Sequence, residues 1–446
     1  MREWTELVSV ALLGTARREV DTAALPEPVR RLVDDREPER ALLSAAALLA
    51  AYRRAGRLPV REATALSPAP VDDRELVGPA ARRRLALLLS GEQVALVPEW
   101  LAAVSARGLR VPPERLPALA DAAVARAEWR APVAAAAGPR GPWLAALRPD
   151  WEFLAEQAVV DDPEVWKYGT VTQRLHWLAA TRSADRAAAM AALEEAWAVE
   201  SAPVRVRLLE VLRAGLSTED EEFLERALDD RARDVRRLAA ELLAALPGSA
   251  LSQRMAERLR PLVSVRRGAL VVRLPAECDE GMRRDGVTAG PPAGVGARAW
   301  WLGQLVAAAP LSVWPARPGE LVRLPVEGCD ARLLHLGWAA AAVREGAADW
   351  VLALLDVDTK VATDHVLRAL PRPWPVEIGN RVLDRLAGAR DRRATAHLAE
   401  IAALAVPPEC LGHPLVDRPL DPDGAAWRRR LADTLIFRRE MYEELT

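Results

Sequence analysis

The sequence has little lysine, cysteine, tyrosine or phenylalanine for its 446 residues. Lys167 and Lys360 are its only lysines, and 15 tryptophans outnumber three tyrosines and three phenylalanines. Its three cysteines are too few for the disulfide framework that stabilises many small secreted proteins. We therefore expect a protein of a reducing compartment and predict a cytoplasmic location.

The sequence also has no excess of charge of one sign. It contains 61 basic and 63 acidic residues, and its isoelectric point is near 6.3. A near-neutral chain has no general attraction for nucleic acid or for an acidic membrane surface. We expect neither as the main partner.

No uncharged stretch reads as a clear membrane span. The longest run is Ala299–Ala316, in which Pro310 and Pro315 argue for a helix that ends near Ala309 and a turn after it. Met1–Arg18 has acidic residues where a signal peptide would be basic, and it reads better as an amphipathic helix. We expect no membrane segment.

Apolar residues recur at helical spacing almost throughout, and the middle of the chain contains a repeat. Ser183–Leu212 aligns with Ala214–Leu243 at an offset of 31 residues. Leu193, Val204 and Arg205 then fall on residues of the same type. Each copy has the length of two helices, which is typical of a HEAT-type repeat.

The second copy contains start and stop signals for both of its helices. Thr218–Glu221 has the pattern of a capping box before the apolar face of the first helix. The second helix begins after Asp230 and is predicted to stop at Pro247–Gly248. A weaker copy, containing Trp166 and Arg174, precedes the first.

These patterns predict a mainly α protein: a HEAT-like α-solenoid of short antiparallel helix pairs with a small β-containing insertion. We divide the chain into an N-terminal helical domain (1–137), a HEAT-like repeat region (150–262), an insertion with two short strands and a flexible loop (263–330), and a C-terminal helical domain (331–446).

The insertion contains two similar segments. Gly268–Asp279 is echoed by Gly319–Asp330, and both contain short runs of valine and leucine that end at proline. Such runs are typical of strands. We predict that Leu270–Leu274 and Leu321–Leu324 are strands that pair with each other. The segment between them, Gly281–Gly296, has the composition of a flexible loop that could bind a partner.

The sequence contains no strong catalytic or metal-binding motif. A Walker loop, a nucleophile elbow and an HExxH motif are all missing. Cys410 and His413 have the spacing of half a zinc site, but no second pair lies nearby in the sequence, and Cys278 and Cys329 offer only a speculative complement. We expect no catalytic residues, no metal and no cofactor.

The recurring arginines are the most informative polar set. They could form a basic ridge that binds phosphate or acidic peptide, or a ladder of ion pairs with turn carboxylates such as Asp162, Asp229 and Asp234. We favour the ladder. Trp300 and Trp301 are adjacent on a predicted helix, so both cannot face one core and one is open to a partner. The candidate partner-binding residues are Arg174, Arg205, Arg236, Arg283, Arg284, Asp285, Trp300 and Trp301.

Several segments together resemble a known family. The resemblance is carried by Leu7–Val20, Arg40–Gly56, Pro139–Leu154, Glu221–Leu251 and Arg283–Trp314. It is to an uncharacterised family of helical-repeat proteins from actinobacteria and other bacteria. Its members are typically encoded beside MoxR-type AAA+ ATPases, von Willebrand factor A domain proteins and SWIM zinc-finger proteins. The resemblance implies a scaffold or adaptor and supplies no catalytic residues.

Two functions from different classes follow. The first is a non-enzymatic protein-binding scaffold or adaptor that works with a MoxR-type ATPase or a von Willebrand factor A protein. The second is a HEAT-like nucleic-acid-binding or DNA-repair protein, similar to a glycosylase, with a basic concave groove. The second requires free arginines and binding that weakens steeply with salt, and the neutral composition favours the first.

Overall fold

The protein consists of two compact units, Met1–Pro68 and Ala69–Thr446, and both are mainly helical. The division after Pro68 is a boundary that the sequence patterns did not indicate; the four predicted segments remain a prediction. The computed structural model describes residues 2–34, 36–55, 67–155, 163–357, 360–389, 392–417 and 426–445.

In its described residues, the first unit has three α-helices around a small core. Ion pairs and hydrogen bonds join its elements, among them Arg53 to Glu3 at 3.0 Å and Thr15 to Glu39 at 2.7 Å. The core is formed by Leu7, Leu25, Val29, Ala45 and Leu49. The helices are α1 (Arg2–Leu13), α2 (Glu27–Arg30) and α3 (Pro38–Ala55).

The second unit begins with a helical cluster that contains a two-stranded parallel sheet. Strands β1 (Glu75–Leu76) and β2 (Leu109–Arg110) pair Glu75 with Leu109. The buried Trp100 and Trp129 lie in its core. The helices of this part are α4 (Pro79–Leu89), α5 (Val97–Ala106), α6 (Leu116–Ala125), α7 (Ala127–Ala137) and α8 (Gly141–Ala145).

The repeated region forms the predicted succession of short helices. Both helices of the second copy are present, and the second of them ends just before Pro247 as predicted. The capping box is shifted by one residue, because Ser217 rather than Thr218 is the N-cap and Asp220 rather than Glu221 completes it. The helices are α9 (Glu164–Tyr168), α10 (Val171–Ala184), α11 (Arg186–Trp197), α12 (Ala202–Leu212), α13 (Glu221–Ala227), α14 (Arg233–Ala245) and α15 (Ala250–Leu259).

The insertion holds a small sheet, but the pairing differs from the prediction. β3 (Val263–Arg266) and β4 (Ala269–Val272) form an antiparallel hairpin, and β4 pairs in parallel with β5 (Val326–Glu327). The predicted strand Leu321–Leu324 is wrong. Pro318 opens a helical turn there, so the backbone N–H groups of Leu321 and Val322 donate within the turn instead of to a ladder.

The predicted loop Gly281–Gly296 begins as a helix. Its first residues belong to a short helix that is capped by the side chain of Asp279, which accepts from the backbone N–H of Met282. The helices of the insertion are α16 (Glu280–Arg284), α17 (Ala297–Ala308) and α18 (Pro318–Leu321). α17 is capped at Ala309, where the sequence predicts that it ends.

The C-terminal part is mainly helical, in agreement with the apolar residues that recur there at helical spacing. The apolar 3.6-residue period specifies these helices directly. They are α19 (Ala331–Glu345), α20 (Ala348–Asp356), α21 (Lys360–Ala369), α22 (Val376–Gly388), α23 (Arg392–Ala405), α24 (Pro414–Asp417) and α25 (Ala426–Glu443). None of the helices in the described ranges is long and apolar enough to cross a membrane.

Within the second unit, helices pack in a regular order. α10 packs on α12 and α12 on α14; further on, α17 packs on α19, α19 on α21, and α23 on α25. One apolar cluster runs from Leu178 to Leu435. The last helix also joins the first cluster of the unit, because Phe437 and Met441 lie in the core around α4 to α8.

Candidate functional site

Two of the recurring arginines repeat one arrangement. Arg174 lies 4.8 Å from the ring of Trp166 and pairs with Glu200 at 2.5 Å. One repeat later, Arg205 lies 5.7 Å from the ring of Trp197 and pairs with Asp230 at 3.2 Å. In both cases the carboxylate lies in the turn before the next equivalent helix. An aromatic ring, a guanidinium and a carboxylate therefore join successive repeats.

The third arginine of the series makes a different contact. Arg236 donates to the carbonyl oxygens of Asp230 and Arg231, at 2.7 and 3.1 Å. Leu228 occupies the position that a tryptophan holds in the two earlier copies. The guanidinium is thus used to close the turn before its own helix. All three arginines have partners inside the repeats.

The carboxylates of these contacts are not the predicted ones. Asp162 lies outside the described residues, and Asp229 binds Arg284 instead of a repeat arginine. Glu200 and Asp230 precede the arginine helices by short turns, and this signal was available in the sequence.

Three arginines, Arg254, Arg258 and Arg284, surround Asp285, which is 3% exposed. Arg254 donates to its two oxygens at 2.7 and 2.9 Å, and Arg258 donates at 2.6 Å. Burial alone would raise the pKa of Asp285, but the hydrogen bonds from these two guanidinium groups outweigh it, so this pKa is lowered. The cluster fixes the end of α16 to α15.

Arg284 strengthens the same attachment, whereas Arg283 does not take part in it. Arg284 binds both oxygens of Asp229, at 2.7 and 2.9 Å, and also Glu225, and its pKa is raised chiefly by the bond to Asp229. Arg283 is exposed, and we find no ion pair for it within the described ranges. The sequence pointed to these residues as binding candidates, and Arg284 and Asp285 are used inside the fold.

The paired tryptophans tie α17 to the preceding segment. The indole N–H of Trp300 donates to the carbonyl of Thr288 at 3.0 Å, and that of Trp301 donates to the carbonyl of Ala289 at 2.8 Å. Gln304 adds two bonds to the backbone of Thr288. The part of the predicted loop after α16 is therefore held against α17. Both rings remain partly exposed.

A cavity of about 930 Å³ opens beside Trp300. Its wall extends from Arg213 to Pro371. It is formed by the end of α12, by the segment after α16, and by helices α14, α15, α17, α19 and α21. Most of its lining is apolar, and Asp285 and Trp300 are the two predicted site residues that it brings together. Cavities of this size and character are typical binding sites. We take it as the candidate site.

Arg344 lines this cavity and was not singled out in the sequence. Its guanidinium donates to the carbonyl oxygens of Ala307 and Ala309 at the end of α17, and to Glu345 at 2.7 Å. Burial lowers its pKa, and the bond to Glu345 partly offsets this effect. A cation at a helix C-terminus stabilises it, so Arg344 holds the end of α17 in place.

The candidate metal ligands do not converge. The thiol of Cys410 donates to the carbonyl of Val376, whereas Nε2 of His413 lies 3.2 Å from Oδ1 of Asp384. Burial raises the pKa of Cys278, of Cys329 and of Cys410. Across the described part of the chain, no three histidine, cysteine or acidic side chains form a group that could hold a metal ion.

The chain matches DUF5691, a family of unknown function, over residues 6–365 and 358–445. The match covers most of the chain, so the protein belongs to this family. No curated protein and no solved structure matches it significantly.

Proposed function

We propose that this protein is a non-enzymatic scaffold or adaptor that binds a protein partner in the cytoplasm, and that its repeats form a HEAT-like α-solenoid. The observation that carries the proposal is the repeated contact of ring, arginine and carboxylate at Arg174 and Arg205. Such contacts between neighbouring repeats are what holds a solenoid together. The order in which the helices pack agrees with it.

The cavity beside Trp300 supports a binding role. Solenoids bind their partners on the surface that successive helices share, and residues of α12, α14, α17, α19 and α21 or their ends meet at this cavity. The resemblance in the sequence suggests the partner: a MoxR-type AAA+ ATPase or a von Willebrand factor A protein encoded nearby, in an actinobacterial or related genome.

The nucleic-acid alternative has less support. It needs Arg174, Arg205 and Arg236 to be free in one groove, whereas Arg174 and Arg205 are ion-paired and Arg236 binds carbonyl groups. A mobility-shift assay with duplex and single-stranded DNA at 50 and 200 mM salt tests it. Binding that falls steeply between these concentrations would favour this alternative over the scaffold.

The scaffold proposal is tested with purified components. The protein, its neighbouring ATPase and its neighbouring von Willebrand factor A protein are expressed separately and mixed, with size-exclusion chromatography and chemical cross-linking as readouts. We expect a stable complex with at least one of them, with or without nucleotide. If neither associates at micromolar concentration, the proposed partnership is wrong.

A further inference from the structure

The cavity beside Trp300 has an unusual lining of small side chains. Three helices, α14, α17 and α19, each turn one face toward it. Most of the apolar residues on these faces are alanines, whose side chains end at Cβ. Buried Met255 and Val287 lie deeper in the wall. The small residues of the three helices are Ala240, Ala244, Ala245, Ala307, Ala308 and Ala340. Such a lining leaves room for large apolar side chains from outside.

The shape of the lining suits an occupant that lies along α14. The lining residues of this helix run from Arg237 to Ala245. With a rise of 1.5 Å per residue this is a length of about 12 Å, or rather more than two helical turns. Alanine at the contact positions lets the backbone of a second helix approach closely. Peptides that bind in this way place residues i, i+3 or i+4, and i+7 in the groove.

Apart from Arg344, whose guanidinium is bonded to the end of α17 and to Glu345, the charged side chains of the rim lie on one side of the cavity. Arg213, Arg237 and Glu241 lie on the side of α12 and α14, with side chains about half exposed. On the opposite side, Ala340, Val343, Ala369 and Pro371 are uncharged. The rim arginines pair with Glu210 and Glu241, but exposed pairs of this kind are weak, so an incoming carboxylate can share them at little cost.

From these features we infer that the cavity binds an amphipathic helix of a protein partner. Large apolar side chains of that helix fill the alanine-lined space against Trp300, and one edge of it presents carboxylates to Arg213 and Arg237. The inference rests on the proposed scaffold function and names the chemistry of the partner segment.

The test uses a phage library of 16-residue helices displayed against the full-length protein. Four positions on one face vary among apolar residues, and one flanking edge varies among Glu, Lys and Gln. The enriched sequence is made as a fluorescent peptide, and its dissociation constant is measured by anisotropy. We expect enrichment of Leu, Phe, Met or Trp on the face and of Glu on the edge.

Variants locate the binding site. Ala340→Trp and, separately, Ala308→Phe fill the cavity and are expected to weaken binding of the peptide by about tenfold or more. Ala188→Trp, on the exposed side of α11, is the matched control and leaves binding unchanged. Circular dichroism and thermal unfolding show whether each variant is folded. The two filling positions are on different helices, so one of them remains informative if the other disturbs the fold.

Charge reversal tests the edge. Arg237→Glu should weaken binding of the Glu-edged peptide, and a peptide with Lys on that edge should restore it. Arg226→Glu, an exposed charge on α13, is the control and has no effect. The inference is wrong if no such helix is enriched, or if the enriched peptide binds the cavity-filled variants as tightly as it binds the wild type.

The outcome is independent of the scaffold test. If the purified ATPase or von Willebrand factor A protein binds the Ala340→Trp and wild-type proteins equally, the scaffold proposal stands and the cavity is not its docking site. If neither protein binds but the peptide does, the named partner is wrong and the cavity assignment stands.

Discussion

Asp220 is a buried carboxylate that three hydrogen-bond donors share in the repeat core. It is 0% exposed and accepts hydrogen bonds from Arg182, from Arg186 and from the backbone N–H of Ser217. Arg182 is itself buried, so removing the carboxylate leaves a cation with no counter-ion in the interior. Leaving a buried charge without a partner is among the most destabilising effects that a single substitution can have.

We therefore expect Asp220→Ala to lower the free energy of unfolding by about 3–5 kcal/mol. Urea denaturation followed by circular dichroism gives the value. Glu222→Ala removes an exposed partner of Arg226 on the next turn and should cost less than about 0.5 kcal/mol. Equal losses in the two variants would contradict a structural role for the buried pair.

His335 makes stability depend on pH. Its ring packs 5.6 Å from that of Trp338, and burial lowers its pKa below the ordinary value of 6.5. As the pH falls, the unfolded chain therefore takes up a proton at His335 near pH 6.5, whereas the folded protein takes it up only at a lower pH. This contribution to stability is complete above 6.5 and is lost as the pH falls from there toward the folded pKa.

We expect the wild type to unfold in less urea at pH 5.5 than at pH 7.5, and His335→Leu to reduce that difference. His365 is exposed, and His365→Gln should keep the response of the wild type. If the urea midpoint of His335→Leu falls with pH as much as that of the wild type, other groups carry the dependence.

At the level of elements, the sequence predicted helices well where one apolar face is enough to define them. α14 has buried positions Val235, Leu238, Leu242 and others at helical spacing, and it ends where Pro247–Gly248 predicts. The predicted strand Leu321–Leu324 failed because its apolar residues are buried by a helical turn after Pro318. A short apolar run fits either element, so the period cannot decide between them.

α16 shows why the rest of the candidate site could not be predicted from the sequence. Its five residues are too few to show a period, and it is held by Arg254 and Arg258 from α15, about 30 positions earlier in the chain. The cavity likewise depends on residues from Arg213 to Pro371 that no local pattern connects. Arg284 and Asp285 were recognised as part of the predicted loop Gly281–Gly296, and Trp300 by its position just after it, whereas Arg344 had no local signal.

The attachment of α16 leads to a prediction about this element. Asp285→Asn removes the charge that binds Arg254 and Arg258, and we expect faster hydrogen exchange from Met282 to Thr288 and a loss of about 1–3 kcal/mol. Glu280→Gln changes an exposed charge on the same helix and should leave exchange unaltered. Hydrogen exchange is measured by mass spectrometry. Unchanged protection of this segment in Asp285→Asn would show that the bonds to Arg254 and Arg258 do not hold α16 in place.

The last helix is fastened to the start of its unit by a second buried pair. Arg438 is 1% exposed and donates to Glu99 at 2.7 Å, and the hydroxyl of Tyr442 donates to the same carboxylate at 2.9 Å. Burial and the nearby negative charge of Glu99 raise the pKa of Tyr442, which keeps it a donor. More than 300 residues separate the two ends of this contact along the chain.

A double-mutant cycle measures how strongly this pair couples. We expect Glu99→Gln and Arg438→Met to be destabilising and to show a coupling energy of about 1–3 kcal/mol. The exposed pair Glu210 and Arg213 should give less than about 0.5 kcal/mol in the same assay. Additive losses at Glu99 and Arg438 would show that the contact does not act as a unit.

For the whole molecule, the near balance of 61 basic and 63 acidic residues has a structural counterpart. Repeat arginines pair with turn carboxylates, α16 is bound by arginines of α15, and α25 is bound through Glu99. The sequence showed the balance but not the pairs, because each pair joins elements that only the fold brings together. The neutral charge of this protein thus reflects the way its helices are joined.

The two-unit organisation makes a last prediction, about truncation. In the part of the chain that the structure describes, the core clusters of residues 69–446 are built from that unit's own side chains. The fragment 69–446 should therefore fold alone and unfold cooperatively on heating. The fragment 69–425 loses Phe437 and Met441 from the cluster around α4 to α8, and without them we expect early, broad unfolding of that cluster. Thermal melts and hydrogen exchange of both fragments test this, and a molten 69–446 fragment would show that the second unit depends on the first.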